Sequence, residues 1–118
     1  MNIDSIKQYS TFPPLSFDFV DDENIPVDCS AYEVRLLVKN FKGQTVIDSI
    51  IGAENSNGIW TNEINGMGEY QWRVEDTSKI GRFRYEFQFT RLYDNKTFKI
   101  PDQGYYEYGV VEGIEGLS

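Results

Sequence analysis

Histidine is absent from the 118-residue sequence, and cysteine occurs once, at Cys29. Without histidine the chain has no Ser-His-Asp or Cys-His catalytic arrangement and no histidine-ligated metal site. One cysteine provides neither a disulfide within the chain nor a cysteine-based zinc site. These absences predict a protein that is not an enzyme and that has no cofactor or bound metal. We interpret Cys29 as a small core residue.

Basic residues are also scarce, with 11 Lys and Arg against 19 Asp and Glu and a formal net charge of −8 at pH 7. Nucleic acids and anionic membranes attract clusters of Lys and Arg, so we expect neither as a partner. No segment approaches the ~20 apolar residues of a membrane-spanning helix. The N-terminal residues lack the apolar core of a signal peptide, and none is expected.

Aromatic residues, by contrast, make up 15% of the chain and alternate with polar ones. In the clearest run, 82–89, every second residue is Phe or Tyr and the residues between are charged or amides. A period of two predicts a strand with one face against a core and the other in water. Similar patterns predict further strands at 15–19, 32–39, 45–51, 59–64, 70–74, 97–100 and 105–111.

Helical periodicity is nearly missing. Residues 74–80 have room for one helical turn before Gly81, and no window of 11 or more residues has an apolar helical face. Strands spaced about 8–12 residues apart, with no helices between them, favour an antiparallel sandwich or barrel. The patterns predict one domain at 11–111. A polar N-terminal arm at 1–10 precedes it, and a flexible C-terminal tail at 112–118 follows it.

Three sets of side chains are candidates for chemistry. Acidic residues near the first strand suggest a calcium site, but their spacing does not match an EF-hand loop, and we interpret them as a solvated turn. Trp60 and Trp72 suggest a sugar-binding platform, although the alternation around Trp72 favours a place in the core. Paired carboxylates suggest glycoside hydrolysis, which needs a cleft and an acid of raised pKa. The acidic residues of the possible calcium site are Asp18, Asp21, Asp22, Glu23 and Asp28.

The tyrosines of the last predicted strand, Tyr105, Tyr106 and Tyr108, are the candidate interface. Tyr105 and Tyr106 are neighbours, so one of them must face outward from a strand. Tyrosine is enriched at protein–protein interfaces. We therefore predict that these three residues contact a partner.

The order of several motifs resembles a known family. The motifs are a Pro-Pro opening at 11–17, the strand at 31–39, Gly-Glu-Tyr-Gln-Trp at 68–72, Gly-Arg-Phe-Arg-Tyr-Glu-Phe at 81–87, and Pro-Asp-Gln-Gly-Tyr-Tyr at 101–106. Together they resemble the small immunoglobulin-like domains of tailed-phage structural proteins. The greatest similarity is to the N-terminal domain of the baseplate upper protein family, found in phages and prophages of Gram-positive bacteria.

The resemblance spans about residues 11–111. It implies an all-β fold, a single immunoglobulin-like antiparallel β-sandwich of seven to eight strands. It also implies a non-enzymatic module of a phage baseplate or tail, assembled in the bacterial host cytoplasm and located in the virion. The expected partners are other virion proteins or further copies of the chain. Two other functions stay open, a carbohydrate-binding module for cell-wall sugars and a small carboxylate-dependent hydrolase.

Overall fold

Most of the alternating patterns fold as strands within residues 5–112, the part of the chain that the computed structural model describes. The strand predicted at 70–74 is wrong, because a strand ends at Tyr70 and a 3-10 helix begins at Val74. The helical segments of this part are short 3-10 helices at Cys29–Ala31, Glu63–Asn65 and Val74–Thr77. The last of them lies where the sequence left room for one helical turn. The strands are β1 (Ser5–Lys7), β2 (Leu15–Asp18), β3 (Tyr32–Asn40), β4 (Thr45–Ile50), β5 (Gly58–Asn62), β6 (Met67–Tyr70), β7 (Gly81–Arg91), β8 (Thr97–Ile100) and β9 (Tyr106–Val111).

The larger of two sheets is organised around β7, its longest strand. The strand order is β1-β9-β7-β3-β4, and β8 also pairs with β7. Along one edge β7 pairs with β3, from Phe83 to Arg91. Along its other edge the first half of β7 pairs with β9 and the second half with β8. Three strands therefore take their register from β7.

The smaller sheet has the order β2-β6-β5, and all its pairs are antiparallel. Gly68 in β6 lies directly beneath the ring of Phe17. A Cβ at this position would lie 2.7 Å from both that ring and the carbonyl oxygen of Ile59. The missing side chain leaves room for the Phe17 ring, which contacts Phe87 of the larger sheet.

The two sheets meet through aromatic rings. Phe17 lies 4.9 Å from Phe87, and Phe19 lies 5.0 Å from Phe87 and 4.9 Å from Phe89, measured between ring centroids. The rings are tilted or edge-on, the geometry that aromatic quadrupoles favour. All four aromatic residues of the alternating run are buried, and none of the polar residues between them is, as the sequence predicts.

The first residues differ from the sequence prediction. The sequence predicts an N-terminal arm at 1–10 and an antiparallel sandwich of seven to eight strands, but β1 is a ninth strand, and it pairs in parallel with β9. Ile6 is 3% exposed and belongs to the core. A three-residue strand is too short for alternation to be visible in the sequence. Residues 1–4 lie outside the described part, as does the predicted tail 112–118 apart from Glu112.

Replacing Phe87 with alanine should lower the free energy of unfolding by about 3–5 kcal/mol, because the ring is buried against Phe17, Phe19 and Tyr85. The neighbouring substitution Gln88→Ala is the matched control. Gln88 faces outward, so its loss should change stability by no more than about 0.5 kcal/mol. Urea unfolding followed by tryptophan fluorescence measures both. Equal losses would contradict the assignment of faces in β7.

Candidate functional site

The three tyrosines of the predicted interface have three different environments. Tyr108 is completely buried, so the prediction that it contacts a partner is wrong. It lies on the inward face of β9 together with Val110, and its ring stacks on Phe83. Tyr106 is half-buried and packs against the core at 5.3 Å from Tyr85. Tyr105 precedes β9 and is 38% exposed, which leaves it as the accessible member of the three.

Tyr105 belongs to a cluster on the outer face of the larger sheet. The guanidinium carbon of Arg84 lies 5.2 Å from the centre of the Tyr105 ring and 5.7 Å from that of Phe41. The two rings also contact each other, with centroids 6.3 Å apart and planes inclined by 73°. Lys39 lies directly opposite Arg84 in the pairing of β3 with β7. We call Lys39, Phe41, Arg84 and Tyr105 the Arg84 patch.

A shallow pocket of about 220 Å³ opens beside the patch. Lys39, Arg84 and Tyr105 line it together with Leu37 and Glu86. Its lining joins two cations, one carboxylate and apolar side chains in one small space. Such a surface suits contact with a protein, since Tyr and Arg are the residues that most often dominate binding energy at interfaces.

The sugar-binding interpretation has little support from the tryptophans. Trp72 is 3% exposed, and its indole N–H donates to the carbonyl of Pro13 at 3.0 Å, which confirms its place in the core. Trp60 is half-buried, packs on the core and lies over Gly52. Phe41 and Tyr105 are exposed and in contact, but their inclined planes do not form a flat platform for a sugar ring.

The acidic residues near β2 act as turn residues. One oxygen of Asp21 accepts hydrogen bonds from the backbone of Glu23 and of Ile25, each at 2.9 Å. Asp28 accepts from the backbone and hydroxyl of Ser30, and these bonds lower the pKa of its carboxyl. Within residues 5–112 no group of three or more potential ligands has the geometry of a metal site.

Cys29 is completely buried, as predicted for a small core residue. Its thiol lies 3.6 Å from the carbonyl oxygen of Val27. Burial, with smaller contributions from the charges of Asp28 and Glu63, raises its pKa to about 12. A thiol that stays protonated at neutral pH is a poor nucleophile.

The carboxylate of Asp76 is buried, as a hydrolase would require of its acid, but its oxygens are already engaged. It accepts the hydroxyl of Tyr70 at 2.6 Å and the backbone N–H of Arg73 at 2.9 Å. The guanidinium of Arg73 also pairs with it at 2.9 Å. The contacts fix the 3-10 turn before β7, and burial together with the bond to Asp76 raises the pKa of Tyr70. This carboxylate is a structural cap.

The hydroxyl of Tyr108 has no hydrogen-bond partner within the described residues, although it is fully buried. Burial, and to a smaller extent the charge of Asp76, raises the pKa of this tyrosine. Nothing in the sequence indicates this unpaired hydroxyl, because the position of a hydroxyl relative to its neighbours depends on how the two sheets meet.

The chain was also compared with known proteins. Its sequence matches no protein-family model, and a search of the curated proteins finds no match. Within the described residues, no helix is long and apolar enough to cross a membrane.

Replacing Tyr108 with phenylalanine should raise the free energy of unfolding by about 1 kcal/mol, because it removes a buried hydroxyl that lacks a partner. The matched control is Tyr70→Phe, which also removes a tyrosine hydroxyl, but one that donates a hydrogen bond to Asp76. That substitution should cost about 1–3 kcal/mol. Urea unfolding of both variants checks the pair. An equal loss of stability in the two would contradict the assignment.

Proposed function

We propose that this chain is a non-enzymatic structural module of a phage or prophage virion, acting in the baseplate or tail through contacts with other virion proteins. The motif order of residues 11–111 carries this proposal. The strand arrangement and the Arg84 patch support it.

We further propose that the two sheets form an immunoglobulin-like sandwich. In that fold one sheet contains strands C, F and G, extended by C′ in the variable type, and the other contains B, E and D. The order β9-β7-β3-β4 corresponds to G, F, C and C′, and the order β2-β6-β5 corresponds to B, E and D. The strand β8 pairs with the second half of β7, so β8 and β9 together occupy the place of strand G.

The motifs behind the resemblance occupy defined places in this arrangement. Residues 81–87 form most of the paired length of β7, the central strand. Residues 101–106 join β8 to β9 and place Tyr105 beside Arg84. The segment 11–17 leads into β2, and Pro13 accepts the hydrogen bond from Trp72. Of these three motifs, 11–17 and 81–87 therefore contribute to the core, and 101–106 contributes Tyr105 to the accessible patch.

The outer face of the larger sheet is the surface on which we place the contact with a partner. Its four patch residues combine aromatic rings with positive charge, and Phe41 is half exposed. No observation favours the rival functions. The buried tryptophan and the inclined ring planes count against a sugar platform, and the engaged Asp76 counts against a hydrolase.

Particle analysis tests the virion proposal. Cells that encode the chain are induced to release particles, which are purified by density gradient and examined by mass spectrometry and immunogold labelling. We expect the chain in the particle fraction in amounts comparable with other tail proteins, and gold at the tail. A chain found entirely outside the particles would overturn the proposal.

Substitution of Tyr105 by glutamate tests whether the outer face makes the contact. The expected result is at least a ~10-fold lower content of the variant in particles, because a charge replaces an accessible ring at the interface. The control is Tyr93→Glu. Tyr93 is 79% exposed and also lies beside an arginine, Arg91, but in the β7–β8 hairpin. Equal incorporation of both variants would place the contact elsewhere.

A further inference from the structure

Most cations on the outer face of the larger sheet have a carboxylate partner. Arg35 pairs with Asp48 at 3.1 Å, and Arg82 pairs with Glu107 at 3.1 Å. Lys99 lies 3.9 Å from a carboxylate oxygen of Glu86. The carboxylates of Asp48, Glu107 and Glu86 therefore already have a cation beside them.

Lys39 and Arg84 are the exceptions. No carboxylate within the described residues lies within ion-pair distance of either. The residue opposite Arg84 in β9 is Glu107, but its carboxylate is turned to Arg82. The residue opposite Arg84 in β3 is Lys39 itself. Like charges directly opposite one another in a sheet are destabilising, so the pair reduces stability in the free protein.

The side chain of Arg84 is half-buried, and its guanidinium lies beside the rings of Phe41 and Tyr105 and not beside a carboxylate. Both rings interact with the guanidinium through their faces, and none of its N–H groups donates a hydrogen bond within the described residues. A guanidinium with free N–H groups binds a carboxylate through two parallel hydrogen bonds. The rings also provide apolar surface for the groups next to that carboxylate.

The size and charge of the surroundings indicate the kind of ligand. The adjoining pocket, at about 220 Å³, is smaller than the ~300–1,000 Å³ of small-molecule sites. The net charge of −8 repels a polyanion such as nucleic acid. A carboxylate side chain on a protein segment fits both the small pocket and the charge of the chain, because it places a local negative charge on a local positive patch.

We propose that Lys39 and Arg84 bind a carboxylate on an acidic segment of a partner protein, while Phe41 and Tyr105 pack against the apolar residues beside it. This rests on the proposed function, in which the chain acts through protein contacts, and it adds the chemistry of the partner. The like-charge pair is then relieved on binding, when the carboxylate supplies the negative charge that the free sheet lacks.

Titration of the isotope-labelled chain with two peptides tests the site by NMR. The probe is acetyl-Glu-Leu-Glu-Phe-Glu-amide, and the comparison peptide has Gln in place of each Glu. We expect the Glu peptide to shift the signals of the Arg84 patch and the Gln peptide to bind at least ~10-fold more weakly, since a charge-assisted pair contributes about one power of ten in affinity. Raised salt should weaken the Glu peptide's binding.

Two matched variants separate the site from general charge attraction. Arg84→Gln should weaken binding of the Glu peptide at least ~10-fold. Arg35→Gln removes the same charge from the same face, but from a residue that already has Asp48 as its partner, and should change binding by less than about twofold. Equal effects of both variants, or no binding of the Glu peptide up to about 10 mM, would overturn the proposal.

Stability gives a second, independent readout. Lys39→Glu places a negative charge opposite Arg84, so it should raise Tm by about 1–5 °C while abolishing binding of the Glu peptide. Arg35→Glu on the same strand should lower Tm, because it sets two carboxylates against each other. A lower Tm for Lys39→Glu would contradict the like-charge argument.

Sedimentation identifies a competing occupant. If the chain alone forms a dimer that Arg84→Gln dissolves, the site belongs to a second copy, and the proposal of a different partner is overturned. The particle analysis does not depend on these titrations. If the chain is present in particles but its Arg84 patch binds no carboxylate, the virion proposal stands and the proposal of an acidic partner segment is overturned.

Discussion

The register of β7 is the constraint on which both faces of the larger sheet depend. Its four inward rings are buried in the core, and a slip of one residue would turn Arg82, Arg84 and Glu86 into the core. The cost of burying those charges without partners is far larger than the stability of a small domain tolerates. Because β3, β8 and β9 pair with β7, the same register also decides which charges meet on the outer surface.

Long alternating segments were predictable from the sequence, and short or irregular ones were not. The nine residues of β3 and the eleven of β7 keep their period over enough positions to be unambiguous. The three residues of β1 do not, and their parallel pairing with β9 brings together residues over a hundred positions apart. Trp72 is buried as expected although it lies beyond the end of β6, because its side chain is held by Pro13 and not by a strand pattern.

The candidate site was predictable in part. Adjacent tyrosines at 105 and 106 required that one of them face outward, and Tyr105 does. Tyr108 is buried because side chains alternate along β9, which places Tyr108 on the same inward face as Tyr106 and Val110. The meeting of Phe41 with Arg84 and Tyr105 had no signal in the sequence, because it depends on the pairing of Lys39 with Arg84 and on the turn that follows β3.

Two features of the structure are locally destabilising, and one lies in the core while the other lies on the surface. The Tyr108 hydroxyl is buried in the core, where no partner protein can reach it, so its cost is a consequence of packing aromatic rings from β7, β9 and the segment after β6. The Lys39–Arg84 pair lies on an accessible face in a chain with 19 acidic residues. The carboxylates nearest to that pair, on Glu107 and Glu86, are directed to Arg82 and Lys99 instead. The like-charge pair is therefore a local conflict at the surface of an acidic chain, and the proposed carboxylate of a partner would relieve it.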